Sequence, residues 1–466
     1  LTLSFLLFFF LFIFSREGDF FFQLVMSLLV SITFFLAAFP IYRLKHEELQ
    51  RVLVRPIGVW SITVLLYWVW GSSLTLFTHK VLFFTRDHYS LLIAQIIYIF
   101  GGSALIAGYF YRKIYSQSVT GTTQYISRWT TLQVAVIFIV LRLALSYFKQ
   151  PTGIVDPDRV DQQVYIFLSM ILGPLALVIF FDKFYPSWLR LLVSLSIVEN
   201  AINALFSGSR FAVIGFFLSF IVAATIVGKY YFKPKHLFSI GLVILIGIIV
   251  SQMSRDLYGY SHARTEPIGL SSMINGIIDG LLNPAQRESS TNFLSHSATS
   301  ERLGPVDTLA LATEVVDVSS GNYMLGQSIY TGLTRVFLPY FLFPSKPAYH
   351  SAESWLSNLI GYTGDTHSNA TTELYINFGV LGVILGMFVL GNIWRWTESF
   401  LLSENNLSTH KYIAYLIFVS SIFTAEREMA DYLFVTLRTI GFVFFVGWFI
   451  AVLQRTKGTR SRFHVT

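Results

Sequence analysis

The chain has 466 residues, 54% of them hydrophobic and 13% charged, with a formal net charge of +7 and no cysteine. Soluble domains carry roughly 25% charged residues, so an ordinary soluble enzyme is excluded, and the lack of cysteine excludes disulfides, thiol nucleophiles and Cys-ligated metals. The positive charge has to be placed before it is interpreted, because membrane proteins collect Lys and Arg in cytoplasmic connectors.

A bilayer core takes about 20 apolar residues per helix. Runs that meet or approach this length are 1–15, 20–42, 57–78, 91–111, 129–147, 164–181, 191–206, 211–228, 237–253, 374–394, 411–425 and 433–453. They predict an all-α polytopic integral membrane protein with about twelve transmembrane helices. The first run lacks a basic leader and a small-residue cleavage site, so it reads as a span and not as a signal peptide. Residues 1–253 hold nine spans, and 374–466 hold three spans and a basic tail. Between them, 254–373 forms one large polar loop with 11 of the 26 acidic residues. The nine-plus-three division shows no half-to-half repeat of the kind many transporters carry.

Numbering the connectors alternately from an inner N-terminus assigns 18 Lys and Arg to the inside, Arg55, Arg112 and Arg395 among them. The short outer connectors hold 7. The opposite topology inverts the ratio, so both termini are expected in the cytoplasm and the long loop outside. The net charge is then a topology signal, and nucleic acid is not an expected partner.

The loop carries helical patterns of its own. Ile268 to Leu282 has apolar residues at helical spacing, which predicts an amphipathic surface helix. Pro305 to Val318 predicts a second helix. Leu333 to Phe343 is apolar and aromatic, is broken by Pro339, and ends in Pro344-Ser-Lys-Pro347, which reads as an interfacial wedge and a rigid turn.

A charge near the bilayer centre costs about 2.5–3.5 kcal/mol on insertion scales. Arg142, Glu199 and Arg438 all lie within spans. The two arginines are candidates for lining a polar cavity, and Glu199 fits a packing role. Ser207-Gly-Ser-Arg210 joins two spans in a tight outer hairpin; a guanidinium beside Ser and Gly backbone N–H groups suits a phosphate oxygen. Arg335, Lys346, His350 and His367 gather around the wedge. Glu373 and Asn377 are four apart, on one face of a helix expected to start at the outer boundary. Gly379, Gly382 and Gly386 follow them and permit close helix packing. No metal-ligand spacing, nucleophile elbow, P-loop or dinucleotide fingerprint is present.

One large outer loop between spans, the Ser207–Arg210 hairpin, the Leu-Phe-Pro344-Ser-Lys346-Pro347 turn and Thr-Glu373-Leu-Tyr-Ile-Asn-Phe-Gly379-Val-Leu-Gly382 together resemble the bacterial O-antigen polymerases, the oligosaccharide repeat-unit polymerase family. The architectural likeness covers most of the chain, and the motifs lie within 207–215 and 335–390. The resemblance implies a GT-C-like, metal-independent membrane glycosyltransferase without cofactor, at the outer (periplasmic) face of the bacterial inner membrane. It implies a growing glycan on undecaprenyl diphosphate as donor and the next lipid-linked repeat unit as acceptor. A flippase and a chain-length regulator are the implied protein partners. On this reading Arg210, then Arg335 and Lys346, with Arg438 or Arg142, stabilise the leaving diphosphate. Glu373 and His367 are the candidates for activating the attacking hydroxyl. The related O-antigen ligases share the loop and pair outer arginines with a loop histidine, so ligase-type transfer is the nearest alternative. A flippase for the same lipid-linked sugars, and a sensor or scaffold, are alternatives of a different class.

Overall fold

The computed structural model describes residues 54–64, 88–111, 129–147, 160–206, 305–316, 323–337, 368–402, 408–423 and 429–462, with most of 210–247 and of 345–360. Hydrocarbon offers the backbone no hydrogen-bond partner, so apolar runs must pair internally as helices. They do: α1 (Pro56–Val64), α2 (His88–Tyr111), α3 (Thr131–Tyr147), α4 (Val160–Phe181), α5 (Ser187–Phe206) and α6 (Arg210–Ile226) each begin within four residues of the expected start. Then follow α7 (Pro305–Val315), α8 (Gln327–Phe337), α9 (Ala352–Leu359), α10 (Ala370–Leu402), α11 (Thr409–Phe423) and α12 (Met429–Arg462). Residues 239–244, in the ninth expected span, are helical too. The expected spans 1–15 and 20–42 and the amphipathic helix at 268–282 lie outside the described residues.

No strand occurs among the described residues. Ile93–Tyr111, Ser187–Leu205 and Ala370–Leu402 are long and apolar enough to cross a membrane. The described residues are therefore all-α and of membrane type. Local signals set several starts. Thr130 and Gln133 exchange bonds ahead of α3, Thr130 N–H to Gln133 Oε1 at 2.8 Å and Gln133 N–H to Thr130 Oγ1 at 3.3 Å, a capping box. Ser351 caps α9 by accepting the Ser354 N–H at 2.9 Å.

The chain divides into two compact units. The first comprises Leu1–Tyr115, Glu288–Ser399 and Ile422–Phe434, and the second Ser116–Arg287, Phe400–Ser421 and Val435–Thr466.

In the first unit, α2 and α10 run parallel and touch backbone to backbone. A Cβ on Gly108 would lie 2.0 Å from the Phe388 carbonyl oxygen, and one on Gly391 would lie 2.1 Å from that of Leu105. This is the small-residue contact that lets membrane helices approach closely. The loop helix α7 packs on α2 and buries Thr308, Leu309, Ala310, Leu311 and Ala312. It is part of the unit's core.

The expected single span at 374–394 needs correction. Gly379 adopts φ 67° and ψ −161°, which breaks α10 into arms 370–378 and 380–402. In one straight helix Thr371 and Met387 would stand about 24 Å apart. Instead both meet the same point, 3.7 and 3.5 Å from a Cβ built on Gly101. The first arm is folded back along the second. Cβ atoms on Gly382 and Gly386 would fall 3.0 Å from the Leu374 carbonyl and 2.6 Å from its side chain. These two glycines thus receive the chain's own returning arm, not a separate helix. The second arm keeps 23 residues (380–402), about 35 Å of helix, enough to span hydrocarbon unaided.

Only glycine holds the backbone angles at 379 without strain. A Cβ there would also sit 3.1 Å from the Tyr323 hydroxyl. Gly379→Ala is expected to lower stability by about 1–3 kcal/mol, read as a drop in the melting temperature of the detergent-solubilised protein. An unchanged melting temperature would show that the corner relaxes at no cost.

In the second unit, α4 packs on α3 and α5, and α6 packs on α4 and α5. Leu132, Val136, Ile139, Val140 and Leu143 of α3, with Leu191, Leu195, Val198 and Ile202 of α5, remain exposed. So much outward apolar surface suits lipid and not water.

Candidate functional site

The fold-back carries polar side chains inward. Glu373 lies six residues from the corner at Gly379, about 9 Å along the arm. The expected place for Glu373 and Asn377, at the start of a span on the outer boundary, is therefore corrected. Both are 0% exposed, beside the apolar second arm.

Their partners come from the start of α8. The break at Gly379 leaves the Ile376 carbonyl without its helical donor, and Met324 N–H supplies one at 3.1 Å. Leu325 and Gly326 turn the chain at φ 48° and 85°. Gly326 N–H then donates to Asn377 Oδ1 at 2.9 Å. Asn377 Nδ2 donates to Ser328 Oγ at 2.8 Å and to the Glu373 carbonyl at 2.7 Å. The Ser328 hydroxyl donates to Glu373 Oε1 at 2.8 Å. The run from Gly326 N–H through Asn377 and Ser328 ends on the carboxylate. Such an arrangement stabilises a buried carboxylate and holds it in one rotamer.

A second buried cluster occupies the far end of the α2/α10 pair. Glu398 accepts from Arg395 Nη1 at 2.7 Å and from the Tyr109 hydroxyl, and it pairs with Arg55 Nε at 3.6 Å. Arg395 also lies over the Tyr109 ring, 5.1 Å from its centroid. Three partners compensate the carboxylate for its loss of water. The sequence reading had used Arg395 and Arg55 only as topology markers and had passed over Tyr109 and Glu398. The i, i+3 spacing of Arg395 and Glu398 was the available signal.

The second unit holds the arginines that the sequence picked out within spans. Arg142 pairs with Glu199 across α3 and α5. Tyr165 of α4 lies within electrostatic reach of both. Two residues along α4, Phe167 lies beneath Arg438, 5.8 Å from guanidinium carbon to ring centroid. Tyr165 and Phe167 so bring Arg142 and Arg438 to the same end of the α4 bundle. Directly below lies a cavity of about 210 Å³. Val136 and Val140 of α3, Ile171 and Leu175 of α4, Ile413 of α11 and Phe442 of α12 are among its apolar walls. Leu141, the residue before Arg142, also lines it, and Phe442 is one turn beyond Arg438. The exposed Val136 and Val140 open it toward the apolar flank of α3. A dry cavity of about 150 Å³ admits benzene, so this one has room for a segment of hydrocarbon chain.

The remaining candidates are placed less fully. Arg210 is the first residue of α6 and Arg335 lies in the last turn of α8, but their side chains are outside the described residues, as are Lys346 and His367. His350 is exposed, and its backbone N–H donates to Thr331 Oγ1 at 3.2 Å. Glu373 belongs to the first unit, and Arg142 and Arg438 to the second. No group of three or more metal-ligating side chains occurs among the described residues.

No family model, no curated protein and no solved structure matches the chain.

Proposed function

We propose that the chain is a membrane glycosyltransferase that polymerises lipid-linked oligosaccharide repeat units, with undecaprenyl diphosphate as carrier. The observation that carries the reading is the cavity of the second unit: apolar walls with an opening toward the lipid side of α3, and Arg142 and Arg438 at one end. An amphiphile with a hydrocarbon tail and an anionic head has that shape and that charge order. Guanidinium groups fixed at the head stabilise charge that grows on a leaving diphosphate. Glu199 pairs with Arg142 and competes with an anion for it.

In the proposed reaction an acceptor sugar hydroxyl attacks the anomeric carbon of the donor glycan. The carbon–oxygen bond to the diphosphate breaks, and the lipid diphosphate departs. The hydroxyl proton passes to a base, for which Glu373 is the candidate, with His367 as second. Arg210, Arg335 and Lys346 complete the proposed diphosphate contacts. The chemistry is assigned to the outer face of a bacterial inner membrane, with both termini inside and twelve crossings. The parallel run of α2 and α10 agrees with their ranks as spans four and ten. The folded-back arm does not cross and leaves the count unchanged.

One observation favours a second reading, a transporter of the same lipid-linked sugars. A broken helix that carries buried polar groups beside a span is a common way to build a transport site. Surface glycan in a deletion strain separates the two. Loss of a polymerase leaves single repeat units exported, loss of a transporter leaves them on the cytoplasmic face, and unchanged glycan rules out both. Complementation with Arg438→Gln is expected to cut polymer output about 10²-fold at unchanged protein level. Full-length polymer from that variant would remove the cavity from the reaction.

A further inference from the structure

We infer that the first turn of α8 is a lid over Glu373, and that the conformation described above is its closed one. Glu373 is 0% exposed, and so is Ser328, whose hydroxyl bonds the carboxylate. A carboxylate so covered takes no proton from a sugar hydroxyl until the cover moves. That use of the lid rests on the glycan reading, but the lid itself does not.

The cover is held mainly by polar groups. Met324, Ser328, Thr331 and Gly332 are the buried positions of residues 323–334, with Ile329 and Leu333 half-buried. Met324 is thus the one large apolar side chain fully buried there. By contrast, α7 buries Leu309, Ala310, Leu311 and Ala312. Apolar burial is the main force that holds an element down, and a segment with little of it opens locally before the whole fold does. Hydrogen bonds join the start of α8 to the folded-back arm. Met324 N–H bonds the Ile376 carbonyl, Gly326 N–H bonds Asn377, and Ser328 lies between Asn377 and Glu373. Water or a sugar hydroxyl can replace each of these at little net cost.

The turn that leads into α8 favours release. Leu325 takes φ 48°, a conformation that strains a residue with a Cβ. Its side chain is 77% exposed, so packing does little to compensate. Gly326 follows at φ 85° and, as a glycine, is free to rotate out of it. Lifting the first turn relaxes Leu325 and uncovers the Glu373 carboxylate, the Asn377 amide and the Ser328 hydroxyl together. A hydroxyl-rich acceptor matches that set of donors and acceptors.

The chain has no cysteine, so an introduced thiol is the only one present. The test is labelling by N-ethylmaleimide of the purified full-length protein in detergent. Ser328→Cys is compared with Thr308→Cys, at a position 2% exposed on α7. Lid opening should label position 328 at least about tenfold faster than position 308. Asn377→Ala removes the amide from the run of bonds. It should speed labelling at 328 about tenfold further and leave 308 unchanged. Should Ser328→Cys not accumulate, Met324→Cys, at a position 6% exposed, reports the same opening. Equal rates at the lid position and at 308 would overturn the lid, and so would Asn377→Ala speeding both alike. No glycan is measured, so the two readings fail separately: a lid that opens, with normal polymer from Glu373→Gln, keeps the lid and removes the base.

Discussion

Glu373→Gln is expected to stop glycan extension while the protein accumulates at its normal level. The residue is wholly buried, and the run of donors from Gly326 through Asn377 and Ser328 ends on its Oε1. A glutamine oxygen accepts the same Ser328 bond at the same volume, so the arm and the start of α8 stay joined. What is lost is the basic oxygen that takes a proton. If Glu373 activates the acceptor hydroxyl, the rate should fall about 10²–10⁴-fold, and a gel of surface glycan should show single repeat units where the wild type shows a ladder. Glu373→Ala is a different experiment. It orphans the Ser328 hydroxyl, costs about 1–3 kcal/mol, and should lower protein level as well as activity. A normal ladder from Glu373→Gln, with loss only in Glu373→Ala, would make the carboxylate a structural acceptor and end its assignment as base.

Hydropathy located the helices well because the bilayer rule is strong. An apolar run of sufficient length has no other way to satisfy its backbone. The helix from Pro305 was legible for the same reason of spacing, but its burial against α2 was not, since a sequence pattern says which face is apolar and not what covers it. The break at Gly379 was the main failure. Hydropathy continues without interruption from Val380 to Val389, and one glycine among Gly379, Gly382 and Gly386 carries no mark of a reversal. The corner depends on tertiary partners: Met324 takes the freed carbonyl of Ile376, and Leu374 needs the bare surfaces of Gly382 and Gly386. Glu373 is wholly buried on the arm before the break, and not at the open start of a straight span. Ser328 was unremarkable in sequence, because a serine gains meaning only from what it faces. The cost rule for intramembrane charge did single out Arg142, Glu199 and Arg438, and the first two proved to be each other's partner.

Gly391→Ala is expected to destabilise the α2/α10 pair strongly. The new Cβ would stand 2.1 Å from the Leu105 carbonyl oxygen and 2.8 Å from the Tyr109 backbone nitrogen. Carbon–oxygen contacts between helices ordinarily settle at about 3.3–3.6 Å, so the two backbones must part by more than 1 Å. A side chain can swing aside from such a contact, but a carbonyl within a helix cannot. Overpacking costs typically about 1–3 kcal/mol and more where the backbone must move. The separation falls next to Tyr109, so its bond to Glu398 should weaken as well. Gly108→Ala meets the Phe388 carbonyl from the opposite side, at 2.0 Å, and opens the same seam. The double variant should therefore lose less than the sum of the two single changes. Gly241→Ala and Gly441→Ala are the controls: nothing lies within 4 Å of either added Cβ, and alanine favours a helix by about 0.8–1.0 kcal/mol over glycine. Melting temperatures in detergent should rank the seam variants far below wild type and the controls at or above it. If Gly391→Ala melts with the controls, α2 and α10 do not meet backbone to backbone, and the parallel pair that frames the buried carboxylate has to be redrawn.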